Sequence, residues 1–123
     1  MKNKHDIRLF IALTWVISFA FIWCFFYLLL PRHKFKEQLD IIEKHVIESR
    51  WDEARVSMDK LKEIYEGNRT IIQINNGTEA FVTFDSMIGQ LDDAIENKQE
   101  LAGEFIGGLR NYTDFVMKAF AGP

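Results

Sequence analysis

The sequence predicts an all-α protein in which a single N-terminal transmembrane helix carries a small up-and-down bundle of about four amphipathic helices. Two observations predict it. Residues 9–30, from Leu9 to Leu30, contain no charged side chain. Beyond them, apolar residues recur at intervals of three and four, the period of a helix with one buried face. At 123 residues the chain has room for one soluble domain. It divides into a short basic flank (1–8), a signal-anchor helix (9–30) and a bundle domain (31–120).

The apolar stretch is twenty-two residues long. At about 1.5 Å per residue it reaches about 33 Å, enough for a hydrocarbon core of about 30 Å. Ser18-Phe19-Ala20 offers the small residues of a secretory cleavage site, but a cut there would leave greasy residues 21–30 as the new N-terminus. Trp23 before Cys24 argues against a lipoprotein signal, and the segment lacks the Arg-rich amphipathic character of a transit peptide. The expectation is an uncleaved anchor in the cell membrane, with the lipid bilayer as partner through residues 9–30. Lys2, Lys4 and Arg8 precede it; Arg32, Lys34 and Lys36 follow. The side chains tie, and the terminal amine, with Glu37 and Asp40 diluting the second group, favours a cytoplasmic N-terminus and a domain outside. Cys24, the only cysteine, excludes an intramolecular disulfide. It reads as a small lipid-facing residue, with acylation or a disulfide between two spans as the functional alternative.

Pro31, without an amide hydrogen, ends or kinks this helix. Phe35, Leu39, Ile42 and Val46 then fall on one face of a second helix. Ser49 reads as the start of a third, with Asp52 in the capping-box position, and Trp51, Ala54, Met58, Leu61 and Tyr65 form its stripe. Gly67 is a candidate C-cap. The next segment has two readings. Thr70–Ile74 and Ala80–Phe84 could be strands joined by Asn76-Gly77, a strong hairpin signal. Alternatively a helix runs through Ile72, turns at residues 75–77 and restarts with Thr78 as N-cap. The unbroken helical period of Phe81, Phe84, Ile88, Leu91 and Ile95 favours helices. Asn97, with Glu100, reads as the N-cap of the last helix, whose face is Leu101, Phe105, Leu109, Tyr112, Val116 and Ala119. Gly103, Gly107 and Gly108 on that helix suggest close helix–helix approach, a kink or a hinge. Short connections make neighbouring helices antiparallel.

The residues Ser49-Arg50-Trp51-Asp52-Glu53-Ala54-Arg55, the segment Leu91-Asp92-Asp93-Ala94-Ile95 and the closing helix with Leu101, Ala102 and Leu109 resemble the bacterial domain-of-unknown-function family 4363. The resemblance covers roughly residues 35–116. It implies a short, N-terminally anchored helical protein and carries no known activity. Tyr65 stands where many members place a second tryptophan.

Charge narrows the function. Of 15 Lys and Arg and 18 Asp and Glu, all but Lys2, Lys4, Arg8 and Asp6 lie beyond Leu30, leaving twelve bases against seventeen acids. That balance argues against nucleic acid as a partner. No Gly-rich phosphate loop or nucleophile elbow occurs. His5, His33 and His45 lack companions for a zinc site. The acids Asp92, Asp93, Glu96 and Glu100 straddle a helix end; they read as exposed side chains, or as a docking site for a basic partner or a weak cation site. Calcium would need an aspartate ladder with glycine. Asn68, Asn76 and Asn111 each begin a glycosylation-type triplet, with meaning only in a eukaryotic secretory pathway.

No catalytic residue, cofactor or metal site is expected, and the protein reads as something other than an enzyme. The favoured function is a membrane-anchored interaction or scaffold protein that engages an unidentified protein or a second copy of itself. Contact residues would be Trp51, Tyr65, Asp92, Asp93 and Glu96, with Tyr112 and Phe120 as further aromatic anchors. The alternative is an extracytoplasmic sensor that binds a small molecule between four helices.

Overall fold

The computed structural model describes residues 4–118; Ala119 and Phe120 lie outside them. Its elements are six helices: α1 (Lys4–Leu29), α2 (Arg32–Ile47), α3 (Trp51–Gly67), α4 (Arg69–Asn75), α5 (Thr78–Glu96) and α6 (Ala102–Val116). The hairpin alternative is not formed. Residues 69–75 are helical, and the chain breaks only at Asn76 and Gly77, both extended. The helical period of α5 decides the matter, because its apolar face has a bundle to pack against.

Helix α1 buries none of its residues. It is long and apolar enough to cross a membrane by length and composition. Helices α2, α3, α5 and α6 form a ring in which α2 neighbours α3 and α6, and α5 neighbours the same two. Cross-links fix the directions. Arg32 at the start of α2 meets Asp114 near the end of α6, and Arg55 near the start of α3 meets Glu96 at the end of α5. Each neighbour is therefore antiparallel, an up-and-down four-helix bundle. The short α4 bridges α3 to α5 at the end of the bundle where α1 enters.

The stripes predicted for α2, α3 and α5 are buried except for Trp51, which is partly buried, with Phe35, Leu39, Met58, Leu61, Phe84 and Leu91 fully enclosed. Helix α6 is rotated from its predicted face. Ala102, Ile106, Leu109, Thr113 and Val116 point inward, Leu101 is exposed, and Phe105 and Tyr112 lie at the edge. The predicted face is the one that carries the largest apolar residues. A small alanine and a threonine occupy the interior instead, and Thr113 satisfies its hydroxyl by donating to the Leu109 carbonyl at 2.6 Å. The glycines do not mediate close packing: a Cβ at Gly103 or Gly107 would meet nothing within 4 Å, and one at Gly108 would meet only Met87 Cε at 3.6 Å.

The two hairpin turns also depart from expectation. Ser49 caps no helix start. It takes a left-handed conformation (φ 56°) after α2, with its amide donating to Val46 O and that of Arg50 to His45 O. Lys98 repeats the arrangement after α5 at φ 53°, where Lys98 N donates to Ile95 O and Gln99 N to Ala94 O. Both are Schellman closures with a residue other than glycine at the left-handed position. Arg50, Gly77 and Leu101 are the actual N-caps, none with a side-chain cap. Asn97 ends α5 and donates to the Asp93 carbonyl.

Candidate functional site

Three places bring polar residues together. The first is the junction of α1 and α2. Leu30 is buried in the bundle core. Pro31 follows with φ −85° and ψ 50°, and the Arg32 amide donates to Leu30 O at 2.9 Å. This is an inverse γ-turn, whose φ proline fixes in advance. The long apolar helix thus joins the bundle through a locked turn and a core side chain. Beside it, Asp114 of α6 accepts from Arg32 at 2.8 and 3.0 Å and from Lys36 at 3.0 Å. These two cations hold the Asp114 carboxyl below the usual carboxylate range, the Lys36 bond first.

Under the same end, Asn75 Nδ2 donates to the carbonyls of Val116 (3.1 Å) and Lys118 (2.7 Å), and Asn76 Nδ2 to those of Ile72 and Val116. The last carbonyls of a helix lack intrahelical partners; here the α4–α5 connection supplies them for α6.

The second place is the α3–α5 seam. Arg55 donates to Asp92, to Asp59 at 2.9 Å and to Glu96 at 3.0 Å, and Lys62 donates to the other Asp92 oxygen at 3.1 Å. Burial works against the Asp92 charge, but hydrogen bonds from Arg55 and Lys62 outweigh it and lower its pKa. Of the predicted acidic contact group, Asp92 and Glu96 are therefore joined to a base of the neighbouring helix, while Asp93 is exposed. The α2–α6 seam is tied similarly by Arg110 to Asp40 (2.7 Å) and Glu43 (3.3 Å).

Tyr65, a predicted contact residue, is 2 % exposed. It stacks on Phe81 and meets Phe84 edge-on, and its hydroxyl donates to Asp85 at 2.8 Å. Burial first, then that bond, raises the phenol pKa. Its ring is part of the bundle core. Trp51 is partly buried against the core, and so is Tyr112.

The third place is a shallow groove of about 480 Å³ between α2 and α3, lined by Ile41, His45, Asp52, Val56 and Lys60 among others. Ile41 and Val56 are about half exposed, and His45 Nδ1 lies 3.1 Å from Glu53 Oε2. Among the described residues no group of three His, Cys, Asp or Glu side chains is placed to hold a metal ion.

Sequence reasoning missed Gln38, Arg55, Asn75 and Asp114. Gln38 gave a signal: it sits among Phe35, Leu39 and Ile42, and its Nε2 donates to Ser57 O at 2.8 Å inside the α2–α3 contact. A polar residue inside an apolar stripe announces a buried, satisfied bond. The cross-bundle partners of Arg55 and Asp114 have no local signature. These features define an up-and-down helical bundle tied at its seams and locked to a long apolar helix. No family model matches the chain, and no curated protein or solved structure matches it.

Proposed function

We propose that the protein is a membrane-anchored adaptor: α1 spans the cell membrane with its N-terminus in the cytoplasm, and the bundle stands outside as a rigid interaction module for a protein partner or a second copy. The observation that carries this reading is the junction. A helix with no buried residue is coupled through Leu30 and Pro31 to a bundle with a filled core, so the domain is held against the bilayer without slack. The α2–α3 groove supports a contact role, because it leaves Ile41 and Val56 in water beside charged residues. The ionisable groups of the two seams are engaged with one another, which supports a non-catalytic role. A ligand between the helices, as in a sensor, finds Phe35, Phe84, Ile106 and Leu109 already filling that space.

Carbonate washing of membranes tests the anchor, and a reporter fused beyond the bundle tests its side. Retention in the pellet with an extracytoplasmic signal is expected; release into the wash, or a cytoplasmic signal, overturns the reading. A photo-crosslinking side chain at Val56 should give a discrete adduct in intact cells, and its absence there removes the adaptor role.

A further inference from the structure

We infer that the cavity where α1 meets the bundle is a binding site for an anionic phospholipid, with the phosphate at the start of α2 and an acyl chain along the end of α1. This rests on α1 spanning the bilayer. The cavity has a volume of about 570 Å³ and two kinds of wall. Tyr27, Leu28, Leu29 and Met117 form an apolar side; Arg32, Lys34 and Lys36 form a cationic one with His33 beside them, and among the described residues no carboxylate lines the space.

Asp114 stands outside that lining. It accepts from Arg32 and Lys36, so it orients both cations while neutralising one charge. A guanidinium has five donors and an ammonium three, so both retain donors for a phosphate. With Lys34, about two positive charges remain in excess. Helix α2 also begins here, with Pro31 at its N-cap and no side-chain cap, and its dipole adds to the attraction for an anion.

The apolar side distinguishes a lipid from free phosphate. Leu28 and Leu29 are exposed on α1 and lie where an acyl chain runs, so a phospholipid engages both walls at once, whereas inorganic phosphate engages the cationic one alone. Its depth also fits: a span ending at Leu29 puts the Arg32–Lys36 cations at the headgroup level and Tyr27 at the interface, where aromatic rings concentrate.

The test uses the full chain in nanodiscs of phosphatidylcholine, alone or doped with phosphatidylglycerol, with lipids retained on the protein counted by native mass spectrometry. One phosphatidylglycerol per chain should be kept in preference to phosphatidylcholine. Lys34→Gln should weaken that retention about fivefold, the effect of one cation at a lipid surface. Lys44→Gln, exposed and farther along the same helix, should leave it unchanged, and Asp114→Asn should strengthen it. Inorganic phosphate should not displace the lipid. Equal losses from Lys34→Gln and Lys44→Gln, no preference between lipids, or displacement by phosphate would overturn the site. Carbonate resistance in phosphatidylcholine vesicles reports the span separately: a resistant protein without lipid preference loses only this site, and an extractable one loses both.

Discussion

Replacing Ser49 by glycine should make the protein more stable, although the residue looks in sequence like a helix cap. A side chain in the left-handed region costs roughly 1–2 kcal/mol, which glycine avoids. Glycine gives back about 0.5–1 kcal/mol through the greater freedom of its unfolded chain. With φ 56° at Ser49 and 53° at Lys98, each glycine should yield a net gain of about 0.5–1 kcal/mol. The two turns close different hairpins, so the double variant should gain about 1–2 kcal/mol. For a domain of this size that is a rise in Tm of roughly 5–10 °C. Thermal unfolding of the full chain in detergent, followed by circular dichroism, measures it. Ser49→Val supplies the opposite sign, because a β-branched residue tolerates the left-handed region worst. If Ser49 were an N-cap, Ser49→Gly would instead cost a few tenths of a kcal/mol. A flat or lowered Tm for Ser49→Gly, or an unharmed Ser49→Val, refutes the Schellman closure.

Arg55→Met should cost about 1–2 kcal/mol, a modest figure because Arg55 and Asp92 remain about a quarter exposed. Its acid limb should also change: Asp92 has a depressed pKa in the folded state, so its stabilisation is present above pH about 4, the unfolded value, and lost as pH falls towards the folded one. Chemical unfolding from pH 2 to 7 should show that loss in the parent and a flatter curve in Arg55→Met. Trp51→Ala should cost about 2–3 kcal/mol by denaturant midpoint, less than a fully enclosed tryptophan, because Trp51 is only partly buried. Gly107→Ala should stabilise α6 by about 0.5–1 kcal/mol in the same assay, since a Cβ there meets nothing within 4 Å; a loss would restore the close-approach reading.

The fold was legible wherever one physical signal dominated. The stripes of α2, α3 and α5 were readable because Phe35 to Val46, Ala54 to Tyr65 and Phe81 to Ile95 carry large apolar residues at helical spacing, and nearly every one is enclosed. Helix α6 was not, because its inward face includes Ala102 and Thr113 while Leu101 faces water. The turns misled because Ser, Asp and Asn favour helix starts, yet nothing local says that Ser49 must close the preceding helix first. The candidate sites were the least readable. Asp92 and Glu96 were visible as a cluster, but their tie to Arg55 spans 37 and 41 positions and exists only once the bundle closes. The α1–α2 cavity needs Asn68 and Met117 as well as the collar, residues that no spacing rule brings together.

The antiparallel order of the ring sends both Schellman turns to the end opposite α1. Helix α2 has 16 residues, so that end lies about 24 Å along α2 from the junction. Residues 43–56 and 92–104, which form it, carry four Lys and Arg against nine Asp and Glu. If α1 crosses the bilayer, the molecule is a short pillar, cationic at its foot and anionic at its crown. Negative lipids would draw the foot down and push the crown away, so the same charges that seat the pillar would keep it upright.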